Sequence, residues 1–335
     1  MMRNRKKTRP FPNEVVKRNR TIKIAARMSD SKLLLGIEIG GTKLQLVLGD
    51  ATGRIHERRR LMVEAAQGAA GIRQQIERTI PELLAGKEIN GIGVGFGGPV
   101  DWRTGKINRS HHLAGWSDFA LADWLRSQTG TDVFVDNDAN VAALGEALRG
   151  AGVGLNPVCY VTLGSGVGGG LVTEGRIYHG AIPGEAEIGH LRLDRNGTTI
   201  ESRCAGWSVD ARIRELNRKE PASVLSRLVG NETRGEARHL TAALGQGDAA
   251  AGRILREVAE DLAFGLSHVV HLFHPQVIII GGGLSGVGEP LRAAVAAALT
   301  GFTMEAFQPG PEIRLTALGE DAVPVGALLL ARANH

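Results

Sequence analysis

The 335-residue sequence predicts an α/β protein made of two similar halves that face each other across a cleft. One observation is that an apolar strand, a glycine-rich turn and a second strand occur in succession twice, near residues 40 and 165. Another is that segments with helical spacing follow each of these hairpins. The composition agrees, because 46 glycines and only 4% aromatic residues are typical of chains with many tight turns.

The first half begins with a meander of three strands. A continuous apolar run over 33–39 ends in a glycine-rich turn, and strands over 44–48 and 54–62 follow. Helical spacing then extends over 66–85. The later elements of this half are a buried strand at 91–95, a helix over 121–129, a strand over 132–135 and a helix over 139–148.

The second half repeats this beginning, with strands over 158–163 and 168–173 around a small turn at 164–166. Its later elements are a long helix over about 248–272, a very apolar strand over 277–280 that opens onto three glycines, and a last helix over 323–333. Hairpins at the start of each half, followed by helices and further strands, favour one mixed sheet per domain.

The N-terminal segment carries the positive charge of the chain. Residues 1–30 hold ten Lys and Arg against two acidic side chains, so the pI of about 9.5 does not indicate a nucleic-acid surface on the mildly acidic body. With few apolar residues, this tail is expected to be disordered, and Met28 is an alternative start. We expect a tail over 1–31, a small domain over 32–136 completed by a C-terminal helix at about 318–335, and a large domain over 137–317.

Composition also bears on location. No apolar run approaches the roughly 18 to 20 residues that span a bilayer, and the tail lacks the apolar core of a signal peptide. Cys159 and Cys204 are too few for a disulfide framework, which fits a reducing compartment. We therefore expect a cytoplasmic protein without membrane contact.

The first glycine-rich turn is a candidate phosphate site. Gly40 and Gly41 let backbone N–H groups approach phosphate oxygens, while Thr42 and Lys43 add a hydroxyl and a cation. Glu38, at the strand end, could hold a metal-bound water near the transferred phosphoryl group. The P-loop spacing is absent, and an ordinary hairpin is an equal alternative for this turn alone.

The second turn belongs to a run with five glycines within residues 164–170, which favours phosphate binding over a bulged hairpin. Its candidate contacts are Gly164, Ser165, Gly166 and Gly168. Together the two turns suit a nucleotide whose phosphates are gripped from both halves. The three glycines at 281–283 can present a flat backbone surface to a nucleobase, or form a generic strand-to-loop turn.

Two polar clusters are candidates for substrate contacts. Asp138 could accept a proton from a substrate hydroxyl and Asn137 could fix other hydroxyls, although a helix N-cap explains these residues equally well. Glu187 and His190 are three residues apart and would share one face of a helical turn. With Glu201 they could hydrogen-bond several hydroxyls, and a solvated charged turn is the alternative.

Taken in this order, the motifs resemble the ROK family of repressors, open reading frames and sugar kinases. The resemblance covers about residues 33–333 and includes the segments 36–43, 97–101, 113–116, 137–138, 164–170 and 281–283. It implies the actin-like ATPase (ribonuclease H-like) fold and an ATP-dependent hexose kinase that uses Mg²⁺. Glucose is the expected acceptor. Fructose, mannose, N-acetylglucosamine, N-acetylmannosamine and a catalytically weak sugar-binding sensor stay open as alternatives.

The resemblance also implies roles for particular residues. Asp138 matches the catalytic base, and the matching sugar ligands are Asn137, Glu187, His190 and Glu201. The implied nucleotide contacts are Glu38, Gly40, Gly41, Thr42, Lys43, Gly164, Ser165, Gly166, Gly168, Gly282 and Gly283. A homodimer or homotetramer is expected. The transcription regulators of the family add a winged-helix domain, which the roughly 32 residues before the first turn are too few to form.

Two departures from the family pattern bear on the chemistry. Many members bind zinc through the histidine that His190 matches and three clustered cysteines. The segment between His190 and Glu201 is short and contains no cysteine, with Cys204 beyond it, so we expect no zinc. Glu38 stands where the family usually has aspartate, and its carboxylate reaches one methylene further, which could lower the rate.

Overall fold

The computed structural model describes residues 33–108, 115–182, 184 and 186–332. The predictions for the basic tail over 1–31, for residues 113–114 and for residues 333–335 lie outside the described residues. Within the described part, the chain forms two five-stranded mixed sheets and one separate two-stranded pair. None of the helices described there is long and apolar enough to cross a membrane.

The first half of the chain builds the first sheet, as its strand pattern predicts. Its strands are β1 (Leu33–Ile39), β2 (Lys43–Asp50), β3 (Ile55–Met62), β4 (Ile92–Phe96), the separate pair β5 (Val100–Asp101) and β6 (Lys106–Ile107), and β7 (Val133–Asn137). The order across the sheet is β3-β2-β1-β4-β7. The two hairpin pairings are antiparallel, and β4 is parallel to both β1 and β7.

Helices cover both faces of this sheet, which explains why β1 is a continuous apolar run. The helices of this half are α1 (Gly68–Leu84), α2 (Leu121–Thr129) and α3 (Asp138–Arg149). Leu35 and Ile37 of β1 pack with Ile72 and Ile76, which lie four residues apart on one face of α1. Leu34 points to the opposite face, where the C-terminal helix packs.

The second sheet repeats the first. Its strands are β8 (Val158–Leu163), β9 (Val167–Thr173), β10 (Arg176–Ile177), β11 (Val277–Gly281) and β12 (Glu312–Leu315). The order is β10-β9-β8-β11-β12, again with two antiparallel hairpin pairings followed by two parallel ones. The recurrence of the hairpin in the sequence therefore reflects the same sheet topology built twice.

Most helices of the second half pack around the second sheet, and the last helix packs on the first sheet. They are α4 (Ile200–Cys204), α5 (Gly206–Lys219), α6 (Val224–Val229), α7 (Leu240–Gly245), α8 (Ala249–Phe273), α9 (Glu289–Phe302) and α10 (Ala322–Ala331). Helix α10 packs against β1, β4 and α3, and α3 also packs against β8 and β9, so α3 and α10 join the two sheets. The division into domains at 136/137 and 317/318 stays a prediction.

Candidate active site

The first glycine-rich turn closes the hairpin of β1 and β2. Ile39 pairs with Leu44, and the Gly40 N–H donates to the Lys43 carbonyl oxygen at 2.9 Å. Residues 40–43 therefore form a tight turn at the end of β1. The predicted contacts Gly40, Gly41, Thr42 and Lys43 are thus held together on one short loop.

The second turn is anchored to two helices. Leu163 pairs with Val167 across it. The Gly206 N–H, at the beginning of α5, donates to the Gly164 carbonyl oxygen at 2.8 Å. The Glu201 carboxylate accepts the Val167 N–H at 2.9 Å. These bonds hold the second turn on the side that faces α4 and α5, so its opposite side is available to a ligand.

The third glycine segment lies against the second turn. Gly282 has a φ of +78°, and a Cβ there would lie 2.6 Å from backbone atoms of Leu163. Only glycine fits such a close approach in the left-handed region. Gly283 has open space around it and lines a cavity. The two predicted glycines therefore differ: Gly282 allows its segment to approach Leu163 closely, and Gly283 lines the site.

A cavity of about 990 Å³ lies where the three glycine segments meet. This volume is at the upper end of the range for small-molecule sites. Of the predicted nucleotide contacts, Thr42, Gly164, Ser165 and Gly283 line it. It is also lined by residues that sequence reasoning missed, namely Trp207, Asp210, Arg214, Arg234 and Arg238. Two of the three guanidinium groups are ion-paired at 2.6 Å, Arg214 with Glu236 and Arg238 with Glu232, so Arg234 is the main candidate there for an anionic ligand.

Asn137 caps α3, which is the alternative that the sequence left open. Its side-chain oxygen accepts the N–H groups of Ala139 at 2.9 Å and Asn140 at 3.3 Å, and its Nδ2 donates to the Gly98 carbonyl oxygen at 3.3 Å. The cap holds the first turn of α3 and with it the next residue, Asp138. A capping role and a substrate contact are compatible, because Nδ2 carries a second hydrogen.

Asp138 is the first residue of α3 and lies next to the segment that follows β4. A Cβ at Gly97 would lie 3.4 Å from its Oδ2 atom. Burial, together with the negative charges of Glu38 and Glu187, raises the pKa of Asp138 to about 7. A carboxyl group with that pKa can accept and release a proton near neutral pH.

Glu38 is held by two neighbours near Asp138. The Gln45 Nε2 donates to one carboxylate oxygen at 2.6 Å, and Lys43 Nζ lies 3.2 Å from the other. Burial raises the pKa of Glu38, and Lys43 and Gln45 oppose that shift. Sequence reasoning missed Gln45, although a polar residue within the otherwise apolar run 44–48 was a signal.

The structure brings Glu201 beside the second turn, and leaves Glu187 and His190 at the surface. Glu187 Oε2 and His190 Nε2 are 3.9 Å apart on a 3₁₀ turn, Ile188–His190, and both side chains are more than half exposed. The Ile200 N–H donates to the Leu191 carbonyl oxygen at 3.1 Å, so this turn and the beginning of α4 lie side by side.

The segment where many family members bind zinc forms a compact turn in this chain. Asp194 accepts hydrogen bonds from Thr198 and from the Asn196 N–H, and these bonds lower its pKa. Cys204 is buried, and burial raises the pKa of its thiol to about 12. The part of the chain that the structure describes has no group of three or more His, Cys, Asp or Glu side chains that could hold a metal.

A polar contact that the sequence did not reveal joins the first half of the chain, at Asp136, to the second half, at His179. Asp136 Oδ2 lies 2.6 Å from His179 Nε2, and the other Asp136 oxygen accepts from Asn140 Nδ2 at 3.0 Å. The His179 ring stacks on Trp102, with the ring centres 4.2 Å apart. This contact holds the segment that follows β10 against the turn that follows β5.

Known proteins share this architecture. The structure of a ROK family glucokinase from Streptomyces griseus in complex with glucose and AMPPNP matches 90% of this chain and 99% of its own length, with a TM-score of 0.78 and 30% identity. A glucokinase from Thermotoga maritima is 33% identical over 88% of this chain and 95% of its own. A putative xylose repressor from Caldicellulosiruptor sp. is 26% identical over 77% of this chain and 67% of its own.

The two repeated mixed sheets, with the cavity where their turns meet, define an actin-like ATPase fold, which is the fold of the ROK sugar kinases. The model of the ROK family matches residues 34–334. The chain therefore belongs to the ROK family. The predictions of the fold class and of the family are confirmed.

Proposed function

We propose that this chain is an ATP-dependent hexose kinase that transfers the γ-phosphate of ATP to a hydroxyl group of glucose. The observation that carries the proposal is the position of the Asp138 carboxyl group at the beginning of α3, where a Cβ at Gly97 would lie 3.4 Å from its Oδ2 atom and 3.7 Å from Gly40 Cα of the first turn. Burial, which raises the pKa of this group to about 7, suits it to accept a proton. The similarity to glucokinases over nearly the whole chain supports the reaction and favours glucose as acceptor.

Different residues bind the phosphates, orient the sugar and accept the proton in the proposed reaction. The backbone of the turns at 40–43 and 164–166 binds the phosphates from two sides, and Arg234 of the cavity adds positive charge. Asn137, Glu187, His190 and Glu201 orient the sugar. Asp138 takes the proton of the attacking hydroxyl, whose oxygen bonds to the γ-phosphorus while the bond to the bridging oxygen breaks and ADP leaves. Positioning supplies most of the acceleration.

The first turn has the chemistry of a Mg²⁺ site. Burial raises the pKa of both Glu38 and Asp138, and the charge of Glu38 contributes to the shift at Asp138, so a nearby cation relieves this repulsion. Mg²⁺ commonly binds with one or two carboxylates, waters and substrate phosphates. Glu38 would hold the ion through water. When bound with ATP, Mg²⁺ neutralises phosphate charge.

A coupled ADP-release assay tests the proposal, with ATP and Mg²⁺ against glucose, fructose, mannose, N-acetylglucosamine and N-acetylmannosamine. We expect turnover on glucose, and loss of turnover in Asp138→Asn with AMPPNP binding retained. If the enzyme prefers another of these sugars, that sugar and not glucose is the acceptor. Sugar binding by calorimetry without turnover on any sugar would contradict the kinase and favour a sensor.

The proposal includes a homodimer or homotetramer, a cytoplasmic location and no nucleic-acid partner. Exposed apolar side chains at the end of α8, Leu272 and Phe273, together with Tyr178, support self-association. Light scattering after size exclusion measures the mass in solution, and a monomer would contradict this part of the proposal. Retention on a DNA column at physiological salt would contradict the absence of a nucleic-acid partner.

A further inference from the structure

A row of polar residues crosses the first sheet and ends at the candidate active site. Arg60 of β3 pairs directly with Gln45 of β2, and Gln45 pairs directly with Glu38 of β1. Since directly opposite residues point to the same face, the three side chains lie side by side. The next position in the row is Gly95 of β4. A Cβ there would lie 2.5 Å from Val323 Cγ1 and 3.5 Å from Asp138 Cα, so this glycine lets α10 and the beginning of α3 pack against the row.

Hydrogen bonds connect this row from one end to the other. The Gln45 side chain is fully buried, with its Nε2 donating to Glu38 at 2.6 Å and its oxygen accepting from Arg60 Nε at 3.1 Å. Arg60 Nη2 lies 3.0 Å from a Glu320 carboxylate oxygen, just before α10. Only one orientation of the Gln45 amide satisfies both neighbours, because its oxygen must face Arg60 and its nitrogen must face Glu38.

We propose that Gln45 is a positioning residue that fixes the Glu38 carboxylate for phosphoryl transfer. The inference rests on the proposed kinase function. A glutamate has one more rotatable bond than an aspartate, so more freedom must be restricted to place its carboxylate. Lys43 holds one oxygen and Gln45 holds the other, which fixes both the position and the plane of the group. Arg60 and Glu320 keep the amide from turning.

The test is Gln45→Leu, which removes the amide at similar volume, with Gln75→Leu on α1 as the matched control in the same half. We expect kcat to fall at least tenfold, equal to about 1.4 kcal/mol of transition-state stabilisation, while KM for glucose stays within about twofold. We also expect the gain in AMPPNP affinity on adding Mg²⁺, measured by calorimetry, to shrink by at least about threefold. The control should match the wild type in both measurements.

A double-mutant cycle separates positioning from a general structural effect. In Glu38→Asp the carboxylate is one methylene shorter and no longer reaches Gln45, so adding Gln45→Leu should lower kcat by less than about threefold further. An equal loss in both backgrounds would overturn the proposal, as would a Gln45→Leu enzyme with wild-type kcat.

If Gln45→Leu does not fold, Arg60→Met provides a second variant, because Arg60 lies half exposed at the end of the row. Its kcat should fall about threefold with an unchanged KM for glucose, and an unchanged kcat would count against the proposal. Absence of turnover in the wild type would refute the kinase function alone. The dependence of AMPPNP affinity on Mg²⁺ would then still decide the role of Gln45.

Discussion

The Asp138 carboxyl group removes a proton in the proposed reaction, yet its ionised form is unfavourable in the folded protein. Burial and the nearby charge of Glu38 raise its pKa from 3.8 to about 7. Asparagine has nearly the same shape, cannot accept the proton and carries no charge. We therefore expect Asp138→Asn to lower activity and raise stability at the same time.

The magnitude follows from the pKa shift. About three pKa units correspond to about 4 kcal/mol at most, at 1.36 kcal/mol per unit. Because Asp138 is only partly buried and its carboxyl group keeps part of its hydration, we expect about half of this value, or about 2 kcal/mol.

The sign of the pH dependence follows from linkage. The folded state binds the Asp138 proton more tightly than the unfolded state, so the stabilising contribution is complete below about pH 4 and is lost as the pH rises through about 7. The gain in Asp138→Asn should therefore be largest above pH 8 and fall below about 1 kcal/mol at pH 5. For a chain of this length, 2 kcal/mol corresponds to a rise of roughly 3 °C in the melting temperature.

Two assays on one purified variant test this reasoning. Steady-state kinetics should show kcat reduced by about 10² to 10⁴. Wild-type kcat should fall below about pH 7 as Asp138 becomes protonated. Thermal unfolding without ligand, at pH 8.5 and pH 5, should show the larger stability gain at the higher pH. Asp136→Asn is the contrasting variant, since its carboxylate is hydrogen-bonded to His179 and Asn140, and it should lose stability. A variant of Asp138 that keeps more than a tenth of kcat, or melts lower at pH 8.5, would refute the reasoning.

Three further substitutions test separate parts of the structure. Gly282→Ala puts a Cβ 2.6 Å from the Leu163 backbone, so we expect a loss of about 2 kcal/mol or more in urea unfolding and weaker AMPPNP binding by calorimetry; unchanged stability would contradict the close approach. Glu146→Gln removes part of a buried carboxylate that accepts four hydrogen bonds, three of them from residues 316–318, so stability should fall by about 3 kcal/mol while KM for glucose stays within about twofold. Glu201→Ala frees the Val167 N–H under the second turn, so KM for ATP should rise about fivefold, and an unchanged KM would separate Glu201 from the nucleotide.

Strand and turn order in each half could be predicted because the signals are local. An apolar run, a glycine-rich turn and a second apolar run define the hairpins 33–50 and 158–173 without knowledge of the rest of the chain. The parallel pairings of β1 with β4 and of β8 with β11 join residues about 57 and 119 positions apart, and no local pattern records them. The resemblance to the family supplied this topology.

Candidate site residues could be predicted where a motif carries them, as for Asp138 and the two turns. Gln45, His179 and the arginines of the cavity were missed, because their positions depend on cross-strand pairing and on loops that meet only in the folded chain. The spacing of Glu187 and His190 indicated a shared face, and their side chains do lie side by side, although the turn is 3₁₀ and both side chains are exposed to solvent. The roles assigned to these residues stay predictions.

The same register positions have different residues in the two sheets, and the difference accounts for the asymmetry of the site. Glu38 pairs with Gln45 at the end of the first hairpin, whereas the corresponding pair in the second hairpin is Thr162 with Gly168. A Cβ at Gly168 would lie 3.2 Å from Ala139 Cβ, so the glycines of β9 let α3 pack closely onto the second sheet. The first sheet thus contributes charged groups, and the second contributes the space that brings the N-terminus of α3, with Asp138, to them. The glycines of β9 therefore position the helix that begins with Asp138.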